Sequence, residues 1–237
     1  MALRFKLMFT WCMVFVTVTA IAQETFSVDA GDTKYREDQF YVGITYNLIN
    51  SAPSDIKLRG LSGGIQFGYL RDMPINKNRT LAIALGAGVS FDQYGSTLFI
   101  GETADQNTIF TGLSNNDINV VFDSNRFSTA VIEAPIEFRW RSSTAKDYSF
   151  WRVYAGVRVG YTYWYKAAFV QKGNTVNQTD IPEYDRVRLN TTLSFGYSKI
   201  NFYANYSINP FFKDAVTTNG SKVDFRSLKL GLIFYIL

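Results

Sequence analysis

A strict alternation of apolar and charged residues runs through residues 131–141, VIEAPIEFRWR. Successive side chains of an extended strand point to opposite sides, so this stretch has one apolar face and one charged face. The charged face carries both signs, as in Glu133 and Arg139. Such a strand fits a soluble sandwich with the apolar face in its core. It equally fits a membrane barrel with the apolar face toward lipid. The pattern of the other strands is needed to choose between these two folds.

The same alternation recurs in seven further segments after Gln39. One face of each segment holds large apolar residues, and the opposite face holds Gly, Ala, Ser, Asn, Tyr or charged residues. With the first segment these make eight strands, an even number, as expected of a bacterial outer-membrane barrel. The predicted apolar faces span residues 40–48, 61–69, 81–91, 132–140, 151–163, 187–197, 202–208 and 228–236.

The width of an eight-stranded barrel decides which face points inward. Its interior has room only for packed side chains, so small residues and paired charges fit there, whereas rows of Leu and Phe do not. The large apolar face must then be the outside, and so continuous an apolar exterior is not tolerated in water. We therefore predict an all-β fold, an eight-stranded antiparallel up-and-down transmembrane β-barrel over residues 39–237.

The first 22 residues are typical of a cleaved secretory signal. Arg4 and Lys6 precede an apolar run, and Ala20 and Ala22 provide the small residues of a cleavage site. An uncleaved membrane anchor is the alternative. Residues 23–38 are polar and aperiodic and are predicted to be a periplasmic lead-in. Cleavage would remove the single cysteine, Cys12, so no disulfide is expected.

Loop lengths predict the orientation in the membrane. From a periplasmic N-terminus, the connections 50–60, 92–125, 166–185 and 210–222 are extracellular, and the shorter 71–79, 142–149 and 198–199 are periplasmic. The longest loop contains Phe99, Ile100, Phe110 and Phe122. These residues either are exposed on a hairpin that binds a partner by strand addition, or belong to a lid folded over the barrel mouth. The acidic residues of this loop, Asp92 among them, are interpreted as a solvated face.

Catalysis has little support in the sequence. There is no histidine, which excludes Ser-His-acid and Cys-His mechanisms and disfavours a transition-metal site. Two readings of the inward charges remain: acid–base work by Glu133 and Glu137, or a network of countercharges. The second is preferred, and we expect no enzyme activity, metal or cofactor. The predicted luminal charge network is Glu133, Glu137, Arg139, Arg141, Arg152, Arg158, Arg186, Arg188 and Lys229.

Residues 131–139 and 153–161 carry a resemblance to a known family. They read VIEAPIEFR and VYAGVRVGY, and in this pattern the chain resembles the small Bacteroidetes outer-membrane barrels that include the PorT-like proteins. The resemblance implies an outer-membrane barrel and a link to type IX secretion. It gives no invariant site.

The sequence thus predicts a structural or interaction component of the cell envelope. Expected partners are outer-membrane lipid and other envelope or secretion proteins, with the oligomeric state open. Nucleic acid is not expected, because 22 basic residues face 20 acidic ones once Arg4 and Lys6 leave with the signal. The alternatives are a narrow pore gated by luminal Arg and Glu, or a surface adhesin acting through loop 92–125.

Overall fold

The computed structural model describes residues 38–113, 121–142 and 150–236. The predicted signal peptide and all but the last residue of the lead-in lie outside these residues. Within the described ranges, no helix is long and apolar enough to span a membrane. The strands are β1 (Gln39–Asn50), β2 (Gly63–Pro74), β3 (Leu81–Gly95), β4 (Leu98–Glu102), β5 (Thr108–Gly112), β6 (Ser124–Arg141), β7 (Trp151–Gln171), β8 (Asn174–Gln178), β9 (Val187–Tyr197), β10 (Ile200–Ser207) and β11 (Arg226–Ile236).

Eight of these strands close into an antiparallel barrel. Their order is β6-β3-β2-β1-β11-β10-β9-β7, and pairing of β6 with β7 completes the ring. The first and last barrel strands pair from Phe40 opposite Ile236 to Asn50 opposite Arg226. The predicted fold class is therefore confirmed. The faces follow the alternation, because Ile132 is 52% exposed on the outside whereas Glu133 is 3% exposed in the interior.

Three strands extend beyond the barrel wall at the end with the long connections, which the loop lengths predict to be the extracellular end. The β6 strand begins at Ser124 and β7 continues to Gln171, both inside segments predicted as loops. A bulge explains why simple alternation missed the end of β7. Ala130 pairs with Trp164 and Val131 with Thr162, so Tyr163 is an extra residue. Beyond it, the inward positions of β7 become odd-numbered, beginning with the buried Tyr165.

Pro135 interrupts the ladder between β3 and β6. The pairing runs to Leu85 opposite Ile136 and resumes at Gly88 opposite Glu133. A proline has no N–H to donate, so the carbonyl of Gly86 loses its expected ladder partner. The pairing of β6 with β7 continues through Pro135 opposite Arg158, which keeps the barrel closed at this point.

The four extracellular connections form a cap, which we define as the described residues of 51–62, 96–123, 172–186 and 208–225 together with the protruding ends of β3, β6 and β7. Side chains from all four connections and from the protruding strands share one hydrophobic core. That core consists of Ile56, Tyr94, Leu98, Ile100, Phe110, Phe127, Tyr165, Ala167, Ile181, Tyr184, Phe211, Phe212, Ala215, Val223 and Phe225.

Candidate functional site

The periplasmic third of the lumen is filled by interlocked ion pairs. Arg139 places Nη1 3.2 Å from Asp72 Oδ1 and Nη2 3.1 Å from Glu137 Oε2. Arg141 reaches the other oxygen of Asp72 at 3.0 Å. All four side chains are buried. Two guanidinium groups therefore share one carboxylate, and the set bridges β2 and β6 across the interior.

Arg158 occupies the middle of the lumen. Its Nη1 donates to Glu133 Oε2 at 2.9 Å and to Gln66 Oε1 at 2.7 Å. The guanidinium carbon lies 5.1 Å from the ring of Tyr41 and 5.2 Å from that of Tyr203, within the range of cation–π attraction. Side chains from β1, β2, β6 and β10 therefore surround the guanidinium group that β7 contributes. Together these side chains fill the centre of the barrel.

A third layer lies toward the extracellular end. Lys229 of β11 forms an ion pair with Asp92 of β3, and Asn47 Nδ2 donates to the same carboxylate at 3.1 Å. Arg188 donates to the backbone carbonyls of Val187 and Pro210, and its guanidinium carbon lies 4.7 Å from the ring of Phe211. This layer joins the luminal charges to the base of the cap.

Eight of the nine residues predicted for the luminal charge network are buried inside the barrel, whereas the prediction for Arg186 was wrong. Arg186 is exposed, with its guanidinium carbon 5.1 Å from the ring of Tyr165. It precedes the first residue of β9, so the strand alternation does not reach it. The prediction also missed Asp72 and Asp92, which were assigned to a turn and a solvated loop. Both β2 and β3 continue further than predicted. If the alternation of each strand is extended by two residues, Asp72 and Asp92 fall on the inward face.

The four apolar residues predicted to bind a partner from the longest loop are not exposed, contrary to that expectation. Ile100, Phe110 and Phe122 are 4%, 3% and 5% exposed, and Phe99 is partly buried. Phe110 pairs with Thr217, and its carbonyl accepts the N–H of Thr218 at 2.9 Å. The hairpin of β4 and β5 is therefore folded into the cap, the arrangement predicted as the lid alternative.

Phe127 lies at the centre of the cap core. Its ring centroid is 5.3 Å from that of Tyr184, 5.6 Å from Phe212, 6.1 Å from Tyr165 and 6.2 Å from Phe211. Aromatic pairs at such distances add to the free energy of simple burial. One residue of a barrel strand thus ties two extracellular connections to the wall.

A closed barrel with alternating faces, a charged lumen and long connections at one end is the architecture of outer-membrane proteins. The family model described as outer membrane protein beta-barrel domain matches residues 21–213. The chain belongs to this family. Among solved structures, one that is similar is Ail, the attachment invasion locus protein of Yersinia pestis, determined in complex with the heparin analogue sucrose octasulfate. It shares 16% identity, with a TM-score of 0.37 over 85% of this chain and 99% of Ail. No curated protein matches the chain.

In this member of the family, Glu133 and Glu137 each lie beside a guanidinium group. Ser90 Oγ also donates to Glu133 at 3.0 Å, which leaves that carboxylate fully engaged. Both side chains are 3% exposed. This geometry supports the countercharge interpretation over acid–base catalysis, which needs a carboxylate within reach of substrate. Within the described residues, no group of three or more His, Cys, Asp or Glu could hold a metal ion.

Asp185 fastens two parts of the cap together. It accepts hydrogen bonds from Lys213 Nζ, Asn209 Nδ2 and the N–H of Val187, each at 3.1 Å. Burial by itself raises the pKa of this carboxyl, but these donors and the nearby Arg188 outweigh it and hold the pKa below its ordinary value of 3.8. The connection between β8 and β9 is thereby held against the one between β10 and β11.

We expect this contact to weaken in acid. Because the folded pKa of Asp185 lies below the unfolded one, the carboxylate stabilises the cap above the unfolded pKa and loses this effect as pH falls through the folded pKa. The protection of the amides in residues 182–186 and 208–213, which is the intrinsic exchange rate at each pH divided by the measured rate, should therefore fall below about pH 4. Asp185→Asn should raise the exchange rate at neutral pH and remove most of the acid-induced change. The exposed Asp180→Asn serves as control and should behave as the wild type, and an unaltered acid response in Asp185→Asn would contradict the assignment.

Proposed function

We propose that this outer-membrane barrel is a non-conducting structural and interaction component of the cell envelope. The observation that carries the proposal is the double closure of its interior. Buried ion pairs fill the lumen at three levels, through Arg139, Arg158 and Lys229. Above them, the cap core covers the extracellular mouth.

The energetics of buried charge favour this closed state over a gated pore. Separating Arg158 from Glu133 would leave two charges without partners in an interior too narrow for bulk water, which costs several kcal/mol for each ion. The pairs also engage side chains of several strands at once. A conducting state would have to break the Arg158 and Arg139 contacts together, since they lie at successive levels of the same passage.

Single-channel recording in planar bilayers tests closure. The wild-type protein should give no stepwise current, and replacing residues 98–112 by a short Gly-Ser linker should leave it silent because the luminal charges remain. Replacing by alanine one ion pair at each of the three levels of that trimmed variant should produce small currents: Arg139 with Asp72, Arg158 with Glu133, and Lys229 with Asp92. Discrete openings of the wild type would overturn the proposal in favour of the gated pore. A trimmed variant that conducts would assign closure to the cap alone.

The interaction role is proposed for the extracellular surface. The resemblance to PorT-like proteins suggests secretion or other envelope proteins as partners. The predicted loop 166–185 contains β8 and the end of β7, so a tag belongs at the exposed turn between Lys172 and Gly173. Crosslinking and pull-down from native outer membranes should then recover an envelope protein in stoichiometric amounts. The same tag between Lys77 and Asn78, at the periplasmic end, is the matched control for tag-induced capture. Recovery of the barrel alone from both sites would contradict a secretion link.

A surface adhesin remains the alternative, but its contact region would differ from the apolar residues predicted from the sequence. Since Phe110 and Ile100 are buried, an adhesin would use the exposed turn of residues 102–107 between β4 and β5. Binding of whole cells to a surface should then fall when this turn is shortened to two residues. Unchanged binding would remove the alternative.

A further inference from the structure

The outward face of the protruding strands stands directly above the lipid-facing wall. Here β3, β6 and β7 remain paired, so residues opposite each other in the ladder form rows across the face. The lowest row is apolar, and charge appears only in the rows above it. From the membrane upward, the rows are Phe91, Ala130 and Trp164, then Gln93, Ser128 and Lys166, then Gly95, Arg126 and Ala168.

The lowest row marks the edge of the hydrocarbon region. Phe91 is 39% exposed and Trp164 46% exposed, next to Tyr163 at the bulge. Exposed aromatic side chains of this kind lie at the level of lipid headgroups in membrane proteins. Lys166 is two residues above Trp164 along β7, which corresponds to about 7 Å. Its ammonium group is thus at the height of the headgroups.

Among the described residues, neither cation on this face has a countercharge. Arg126 is exposed and Lys166 partly exposed, and neither forms an ion pair with any residue in the described ranges. The remaining residues of the three rows are uncharged. Ser128 pairs with Lys166, and Arg126 lies two residues further along the same strand, so the two cations are diagonal neighbours. Their long side chains can therefore reach the same anionic group at the level of the lipid headgroups.

We propose that Arg126 and Lys166 bind the phosphate of a phosphorylated outer-leaflet lipid. An arginine offers two parallel donors to phosphate, and a lysine adds a point charge, which together complement a doubly charged phosphomonoester. A lipid is favoured over a soluble anion because the cations continue the lipid-facing wall, immediately above its aromatic row. The lipid chains would pack on Trp164 while the headgroup meets the two cations. This inference does not depend on whether the lumen conducts.

Fluorescence quenching at Trp164 tests the site in the full chain. The substitutions Trp11→Phe, Trp140→Phe and Trp151→Phe leave Trp164 as the single tryptophan. The protein is folded into phosphatidylcholine bilayers that contain either brominated phosphatidic acid or brominated phosphatidylcholine. We expect phosphatidic acid to associate more strongly by roughly fivefold for each cation. Arg126→Gln with Lys166→Gln should bring this preference close to one, whereas Lys172→Gln with Lys222→Gln, two exposed cap cations, should leave it intact.

A preference that disappears only in the Arg126 and Lys166 variant supports the proposal. Equal quenching by both lipids in the wild type would overturn it and leave the two cations to a soluble acidic partner. A preference that survives in the Arg126 and Lys166 variant would overturn it as well. Binding of inorganic phosphate by the wild type, together with equal quenching by the two lipids, would show a site for free phosphate and overturn the lipid assignment.

Discussion

Arg158→Met should destabilise the folded barrel by about 3–5 kcal/mol, one of the two largest effects expected in this protein. The substitution keeps much of the side-chain volume but leaves Glu133, which is 3% exposed, without its guanidinium partner. Removal of one member of a buried ion pair costs more than the pair contributes, because the remaining charge stays desolvated. Unfolding by urea in lipid vesicles, followed by tryptophan fluorescence, gives the free energy difference.

Two further variants separate charge from packing. Adding Glu133→Gln to Arg158→Met removes the uncompensated charge and should recover more than half of the loss, since buried pairs replaced together are often nearly neutral. Arg71→Met, at an exposed position, should stay within about 0.5 kcal/mol of the wild type. A loss below about 1 kcal/mol in Arg158→Met would show that water reaches the middle of the lumen and screens Glu133.

Phe127→Ala should unfold the cap while the barrel remains closed. The buried ring contacts Tyr165, Tyr184, Phe211 and Phe212, and truncation of a buried phenylalanine costs about 3–5 kcal/mol. That loss falls on the connections that pack in this core. The barrel itself is maintained by the backbone pairing of eight strands in a closed ring. Limited proteolysis should therefore cleave within 98–112 and 208–225, whereas the barrel band should keep its heat-dependent migration on gels.

The exposed Val216 of the same cap provides the control. Val216→Ala removes apolar surface that is already 51% exposed, so protease resistance should be unchanged. Loss of heat-dependent migration in Phe127→Ala would contradict the view that cap and barrel have separable stabilities. Full protease resistance in that variant would show that Phe127 is not the anchor of the cap core.

Several features of the site follow from alternation alone. Glu133, Glu137, Arg139 and Arg158 occur at alternate positions in strands with an apolar opposite face, and an eight-stranded barrel has only one side on which such charges can lie. The pairing partners needed more information. Asp72 and Asp92 are near strand ends, where sequence patterns place a boundary with an error of several residues. When the predicted end of the strand is moved by two residues, each of these carboxylates changes from a solvated acid into the partner of a buried cation.

The composition and period of the sequence by themselves determined the barrel, its number of strands and its inward and outward faces. Each side chain of a sheet points to one of two sides, and only apolar side chains are stable on the side that faces lipid. Only the tertiary structure decided how the extracellular segments lie. Phe110 and Ile100 alternate in the same way on a free hairpin and on one folded over the mouth, and the choice depends on apolar surface offered by Phe127 and Phe212, which are far apart in sequence. The position of Arg186 was decided in the same way, since the start of β9 depends on its neighbouring strands. Local pattern specifies the wall of this protein, and long-range burial specifies its cap.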